Sequence, residues 1–274
     1  MIDLELKKRV MTGVGGGAML LAMIIWGGTL GIFFLTTLLS LGMLYEFTEM
    51  TLTLPDRIEK RYFLLSLGWF LGILNLLAPQ SEFALWVGSF LILFVYFLGT
   101  VNRHAVSDYS VHFKELMFSI FGLSYLVFLP FYLRRIYELA NGVQWVILFL
   151  FIVWMGDSGA YFVGKKYGRH KLYPAVSPRK TVEGAGGGLL ASFCVTVLFK
   201  LCFLNSLSWV GVLFLPVLVG GVAQVGDLCE SFLKRAFERK DSGSILPGHG
   251  GILDRFDSVV FSLPAMYACI RIFS

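Results

Sequence analysis

The run Val143–Gly164, VQWVILFLFIVWMGDSGAYFVG, decides the architecture of this chain. It is long and apolar enough to cross a hydrocarbon core of roughly 30 Å as a helix. It also carries Asp157, and a carboxylate at membrane depth is costly unless it faces a polar cavity or a partner. A polar cavity is the reading adopted here. Gly156, Gly159, Gly164 and Gly168 follow at spacings that let a helix or loop approach closely, although ordinary membrane-helix packing accounts for each alone.

Working outward, similar apolar runs recur near 11–27, 29–46, 62–79, 83–100, 113–132, 184–204, 208–229 and 256–273. Apolar residues make up 57% of the 274 positions and charged residues 15%, which excludes an ordinary soluble domain. The expected class is all-α, a polytopic integral membrane protein of about nine transmembrane helices. The glycines between Gly13 and Gly31 blur the first break, and one broken helix there is the alternative. Residues 1–10 are too charged for a signal-peptide core, so the first apolar run is read as retained.

Charge then sets orientation. With Lys7, Lys8 and Arg9 inside and nine crossings, all of the 23 Lys and Arg residues except Lys200, Arg271 and the pair Arg134–Arg135 fall on the cytoplasmic side. That puts the N-terminus in, the C-terminus out, and the protein in the cytoplasmic (inner) membrane. The N-terminal basic cluster and the one at 57–61 are read as topogenic and attractive to anionic lipid. Cys194, Cys202, Cys229 and Cys269 lie in or beside apolar spans without CxxC spacing and are read as packing residues. No nucleic-acid partner is expected.

The two parts of the chain differ in character. Residues 1–142 form apolar helices with short loops, a scaffold suited to dimerisation. There Tyr45, Glu46 and Glu49 read as a solvated helix end, and His104 and His112 as loop histidines. Residues 143–274 carry the chemistry. In SPRKTVEG, Ser177–Gly184, Pro178 breaks any preceding helix, and Arg179, Lys180 and Thr181 stand before a helix expected to begin near Thr181 or Val182. Backbone N–H groups at such a start attract anions. In QVGDLCESFLKR, Asp227, Ser231, Lys234 and Arg235 share one helix face. A surface pair between Glu230 and Lys234 is the plainer reading there, but it leaves Asp227 unexplained.

The segment Ser231–Asp257, SFLKRAFERKDSGSILPGHGGILDRFD, is the densest in polar groups. Lys234, Arg235, Lys240 and Arg255 can hold phosphates, while Asp241, Asp254 and Asp257 can hold a divalent cation. Asp254 and Asp257 fall at i, i+3 where the last span starts, and close carboxylates repel unless a cation separates them. Mg2+ suits such oxygens. Zinc does not, because His249 is the only histidine in the segment.

These residues resemble the phosphatidate cytidylyltransferases, or CDP-diacylglycerol synthases, of bacterial type. Ser231, Lys234, Arg235, Lys240, Asp241, Gly243, Pro247, His249, Gly250, Gly251, Asp254, Arg255 and Asp257 fill every fixed position of that family's signature. The likeness extends over about residues 150–260. It implies an enzyme, a nucleotidyltransferase of phospholipid biosynthesis. CTP and phosphatidate would give CDP-diacylglycerol and pyrophosphate, with Mg2+ and room for a second cation, at the cytoplasmic membrane face. The resemblance assigns metal binding to Asp227, Asp254 and Asp257. It assigns catalysis to Lys234, Asp241, His249, Asp254 and Asp257. Substrate binding falls to Asp157, Ser177, Arg179, Lys180, Thr181, Ser231, Arg235, Lys240 and Arg255. It also implies a homodimer. A CTP-dependent lipid or polyprenol kinase is the alternative within enzymes. An ion-coupled transporter would instead place charge at the midplane in both halves.

Overall fold

A computed structural model describes residues 15–104, 108–246 and 250–274, the side chains of 102–104 apart. Lys7, Lys8, Arg9, the start of the first expected span, the His104 side chain, Pro247 and His249 lie outside the described residues.

The chain is helical almost throughout, as its hydropathy demands. Seven described helical runs are long and apolar enough to cross a membrane: Gly28–Thr51, Pro79–Val101, Tyr109–Tyr137, Gly142–Tyr167, Val182–Cys202, Trp209–Ala236 and Leu253–Phe273. The short helix Gly15–Trp26 (α1) and Arg57–Leu77 (α3) fall on the two remaining apolar runs. Helix α3 begins with Arg57, Glu59, Lys60 and Arg61, which keeps it out of the apolar set. Length and apolarity thus mark seven of the nine expected runs as spans among the described residues. The break before Gly28–Thr51 (α2) is real, because Gly28 has φ 61°, a conformation that glycine adopts without a Cβ clash.

Two compact units divide the chain. The first comprises the described residues of Met1–Phe131 with Asp241–Asp254. In it α2 and α3 pack with Glu82–His104 (α4) and Tyr109–Leu123 (α5), around Leu44, Phe47, Leu64 and Leu123. A π-helical turn, Ser124–Phe128, leads from α5 to Phe131–Tyr137 (α6).

The apolar core of this unit holds a polar cluster. Lys60 is fully buried and meets Glu115 at 2.7 Å and Asp56 at 2.8 Å. Glu115 Oε1 accepts from the N–H groups of Thr53 (2.6 Å) and Leu54 (2.8 Å), which ties down the turn before α3. His112 Nδ1 lies 3.4 Å from Lys60 Nζ, and its Nε2 lies 2.9 Å from Phe97 O. Two expectations are corrected here. His112 is a buried helical residue rather than a loop histidine, and Lys60 is a core ion-pair partner rather than a topogenic surface charge.

The second unit comprises Tyr132–Lys240 with Arg255–Ser274. Helix α7 (Gly142–Tyr167) packs closely along α8 (Val182–Cys202). A Cβ on Gly159 would stand 2.7 Å from Ala191 Cβ and 2.8 Å from Gly187 O, so only glycine permits this approach. Ser192 donates to Ile152 O at 2.8 Å across the same contact. Trp209–Leu215 (α9) passes through a π-helical turn at Pro216–Gly220 into Gly221–Ala236 (α10). Pro216 brings no N–H to the ladder, and the turn widens where it enters. Helix α11 is Leu253–Phe273.

One element departs from the all-helical expectation. Lys171–Tyr173 (β1) pairs antiparallel with Ser177–Thr181 (β2), in register Lys171 with Thr181 and Tyr173 with Ser177. The SPRKT stretch, expected only to stand outside a helix, is therefore a strand. Pro178 sits at an edge of the hairpin, where a missing donor is tolerated.

Candidate active site

In the second unit the hairpin, α7, α8 and α10 enclose a cavity of about 420 Å³. Its polar walls are Asp157, Tyr161 and Lys165 from α7, Arg179 and Lys180 from β2, Thr181 at the head of α8, and Gln224 and Asp227 from α10. Asp157 stands in the second half of α7, Asp227 in the second half of the continuous run Trp209–Ala236, and Arg179–Thr181 directly before α8. Alternating chain direction therefore brings all of them to the same helix ends.

Local sequence explains how these groups are held. Thr181 is extended and its Oγ1 accepts from Gly184 N at 3.1 Å, so it caps α8. Glu183, in the first turn, accepts from Arg169 N at 3.0 Å and meets His170 Nδ1 at 2.6 Å, which binds the start of the hairpin to the helix. With both ends tied, β2 carries Lys180 to Asp227 at 2.6 Å. Gln224 Nε2 donates to Ala185 O at 3.1 Å and joins α10 to α8. The pair Lys180–Asp227 remains 26% and 34% exposed, open to the cavity.

The other expected residues of this unit are placed as follows. Ser231 Oγ donates to Asp227 Oδ1 at 3.4 Å. Lys234 pairs with buried Glu230 at 2.7 Å, so the plainer reading of that pair holds as geometry, although Glu230 is buried rather than at the surface. Arg235, Lys240 and Arg255 are exposed, and Ser177 is half-buried in β2. Asp257 is buried, accepts from Ser258 N at 2.6 Å, and lies within electrostatic range of Asp227, Asp157 and Lys234.

The first unit holds the rest of the signature. Asp241 is exposed. Asp254 Oδ2 accepts three bonds of 3.0 Å, from Ser242 N, Ser242 Oγ and Gly251 N, which close the loop before α11. Glu46 was read as a solvated helix end, and the structure corrects this. It is fully buried, accepts from Leu253 N at 3.0 Å, and lies 3.2 Å from Ser242 Oγ, whose single proton it shares with Asp254. One signal for it was present in the sequence, an acid directly before Phe47 in an apolar helix. Tyr161, Lys165 and Gln224 were also missed, and no local pattern marks them.

The cavity is basic enough to receive phosphate oxygens and acidic enough to receive a cation beside them. Among the described residues no three His, Cys, Asp or Glu side chains already form a cage. Mg2+ binds through one or two carboxylates and completes its shell with water and phosphate oxygens. Asp157 and Asp227 on one cavity, with Asp257 in electrostatic range, fit such an ion.

The chain matches the family described as the cytidylyltransferase family over residues 7–273. A phosphatidate cytidylyltransferase of Bacillus subtilis is 32% identical over 285 residues, covering 98% of this chain and 99% of that protein. One from Staphylococcus haemolyticus is 34% identical over 269 residues, covering 95% and 97%. One from Staphylococcus saprophyticus is 37% identical over 206 residues, covering 72% and 75%.

Proposed function

The chain belongs to the cytidylyltransferase family and is a nucleotidyltransferase, and from that premise we propose that it converts CTP and phosphatidate into CDP-diacylglycerol and pyrophosphate. The observation that carries the reading is the cavity where Arg179, Lys180, Asp157 and Asp227 meet at the ends of apolar helices. A lipid phosphate must meet a water-soluble nucleotide, and such a site serves both.

A phosphate oxygen of phosphatidate attacks the α-phosphorus of CTP. A new P–O bond forms, the bond from the α-phosphorus to the bridging oxygen breaks, and pyrophosphate leaves with that electron pair. The monoester is already anionic, so no strong base is required. The chain's work is positioning and charge neutralisation. Arg179 and Lys180 hold phosphate oxygens, helped by Lys234, Arg235, Lys240 and Arg255, with Ser177, Thr181 and Ser231 as polar partners. Asp227 and Asp257, with Asp254 by its place in the signature, would hold Mg2+, and Asp157 adds a carboxylate to the cavity. Bound there, the ion would neutralise charge on the triphosphate, and a second cation would draw on the same carboxylates. Asp241 and His249 orient the loop or the substrate.

The reaction takes place at the cytoplasmic face of the inner membrane, with the N-terminus in and the C-terminus out, in phospholipid synthesis by a homodimer. Residues 1–142 act as scaffold and 143–274 as the catalytic part.

The test uses purified protein, phosphatidate, Mg2+ and CTP labelled at the α- or γ-phosphate. α-Label should enter the lipid, with γ-label released as pyrophosphate and chelation stopping both. Transfer of γ-label to lipid would replace the reading with a kinase. For orientation, a cysteine at position 244 should resist an impermeant thiol reagent in intact cells, and ready labelling from outside would overturn that topology.

A further inference from the structure

The reading above assigns residues 1–142 to scaffold, yet one residue of α2 grips the signature loop. Glu46 is 0% exposed. Its Oε2 accepts from Leu253 N at one end of the 242–253 segment and, at the other, shares the Ser242 hydroxyl proton with Asp254 Oδ2. Leu253 is the first residue of α11, so its N–H belongs to the set that no intrahelical carbonyl can satisfy. A carboxylate there caps the helix from another part of the chain and complements the positive helix end. Asp254, which follows, closes the same loop from inside by accepting from Ser242 and Gly251.

Two of the signature's small positions follow from this contact. A Cβ on Gly243 would stand 2.5 Å from Glu46 Oε1. A Cβ on Gly251 would stand 2.6 Å from Glu46 Oε2 and collide with Ser242 Oγ. The backbone passes so close to the carboxylate that no side chain fits between them. Among the described residues, Glu46 Oε1 has no hydrogen-bond partner, so a buried acceptor is retained at a cost to folding. A residue kept on those terms, 196 positions from Ser242, is explained by what it holds.

We propose that Glu46 is a positioning residue of the reaction, its carboxylate clamping both ends of the 242–253 segment and setting the first turn of α11, which carries Asp254 and, one turn on, Asp257. The proposal rests on the cytidylyl-transfer reading for its assay, and on geometry for the clamp.

Reach is the property to test. Glu46→Asp keeps the charge but draws the carboxylate back by about 1.5 Å, one C–C bond, so it cannot serve both donors. Glu46→Gln keeps an acceptor at full reach and drops the charge. Per folded enzyme, Glu46→Asp should lower kcat at least tenfold with KM for CTP changed less than threefold, while Glu46→Gln stays within threefold of wild type. Ser242→Ala, which deletes the hydroxyl shared by Glu46 and Asp254 and leaves the Leu253 N–H bond in place, should fall between them. Hydrogen exchange of the 242–253 peptide should speed up in Glu46→Asp and not in Glu46→Gln. A Glu46→Asp enzyme with wild-type kcat, or Glu46→Gln damaged as badly as Glu46→Asp, overturns the clamp. If Glu46→Asp does not fold, unchanged kcat in Ser242→Ala overturns it. If wild-type protein makes no CDP-diacylglycerol, the reaction fails but the exchange comparison still decides the clamp.

Discussion

Two lysine–carboxylate pairs in this protein have nearly the same length and opposite settings. Lys60–Glu115, at 2.7 Å, is 0% and 2% exposed. Lys180–Asp227, at 2.6 Å, is 26% and 34% exposed on a cavity wall. Around Lys60 the polar groups face one another: Asp56, His112 and Glu115 converge on it, and the Phe97 ring centroid lies 5.1 Å away. Removing these charges from water is costly, and only mutual pairing offsets it. Around Lys180 the pair shares its cavity with Asp157 and Arg179, and a ligand can reach it. An ion pair at the surface of a cavity can exchange partners with phosphate and cation. One sealed in a core can only hold structure.

The strongest way to break this contrast is Lys60→Met. It leaves Glu115 and Asp56 buried without their cation, so stability should fall by about 3–5 kcal/mol. Melting in detergent and folded yield would read the loss, while kcat per folded molecule should stay within twofold of wild type. A large loss of kcat at unchanged melting temperature would put the cluster in the reaction.

Asp227→Asn should do the reverse. We expect kcat to drop at least 100-fold, about 2.7 kcal/mol, with the melting temperature unchanged. Asp257→Asn should follow it. Asp254→Asn should lose activity and also loosen the loop, because Asp254 Oδ2 accepts three hydrogen bonds. Near-normal turnover in two of the three would discard the carboxylate assignment.

Lys180→Met should have the smallest of these effects, at least a tenfold loss in kcat/KM, about 1.4 kcal/mol. Other cations share its work, so the loss should appear partly in KM for CTP. Normal kinetics in Lys180→Met would move phosphate binding away from the hairpin.

Much of the cavity was legible before the fold. Asp157 and Asp227 stood out because acids in apolar runs demand a reason, and Arg179–Lys180 because they precede a helix start. The hairpin was hidden because β1 has only three residues, too few for alternation to show. Lys60 was misread because a basic residue at a span end looks the same whether it meets headgroups or a buried glutamate 55 positions on. Glu230 was taken for a surface residue because spacing reports which residues face one another on a helix, and not what covers them.

Hydropathy, the helical class and the order of the polar segments were settled by the chain itself, because a bilayer requires each span to satisfy its own backbone hydrogen bonds. The signature pointed to nucleotidyl transfer, because phosphate chemistry demands particular side chains. Tertiary structure alone decided which charges were sealed and which stayed open, and that Glu46 would meet Ser242 and Leu253, 196 and 207 positions away. Those contacts are non-local. Their energy depends on what desolvates each group once the helices pack, and no local pattern records that.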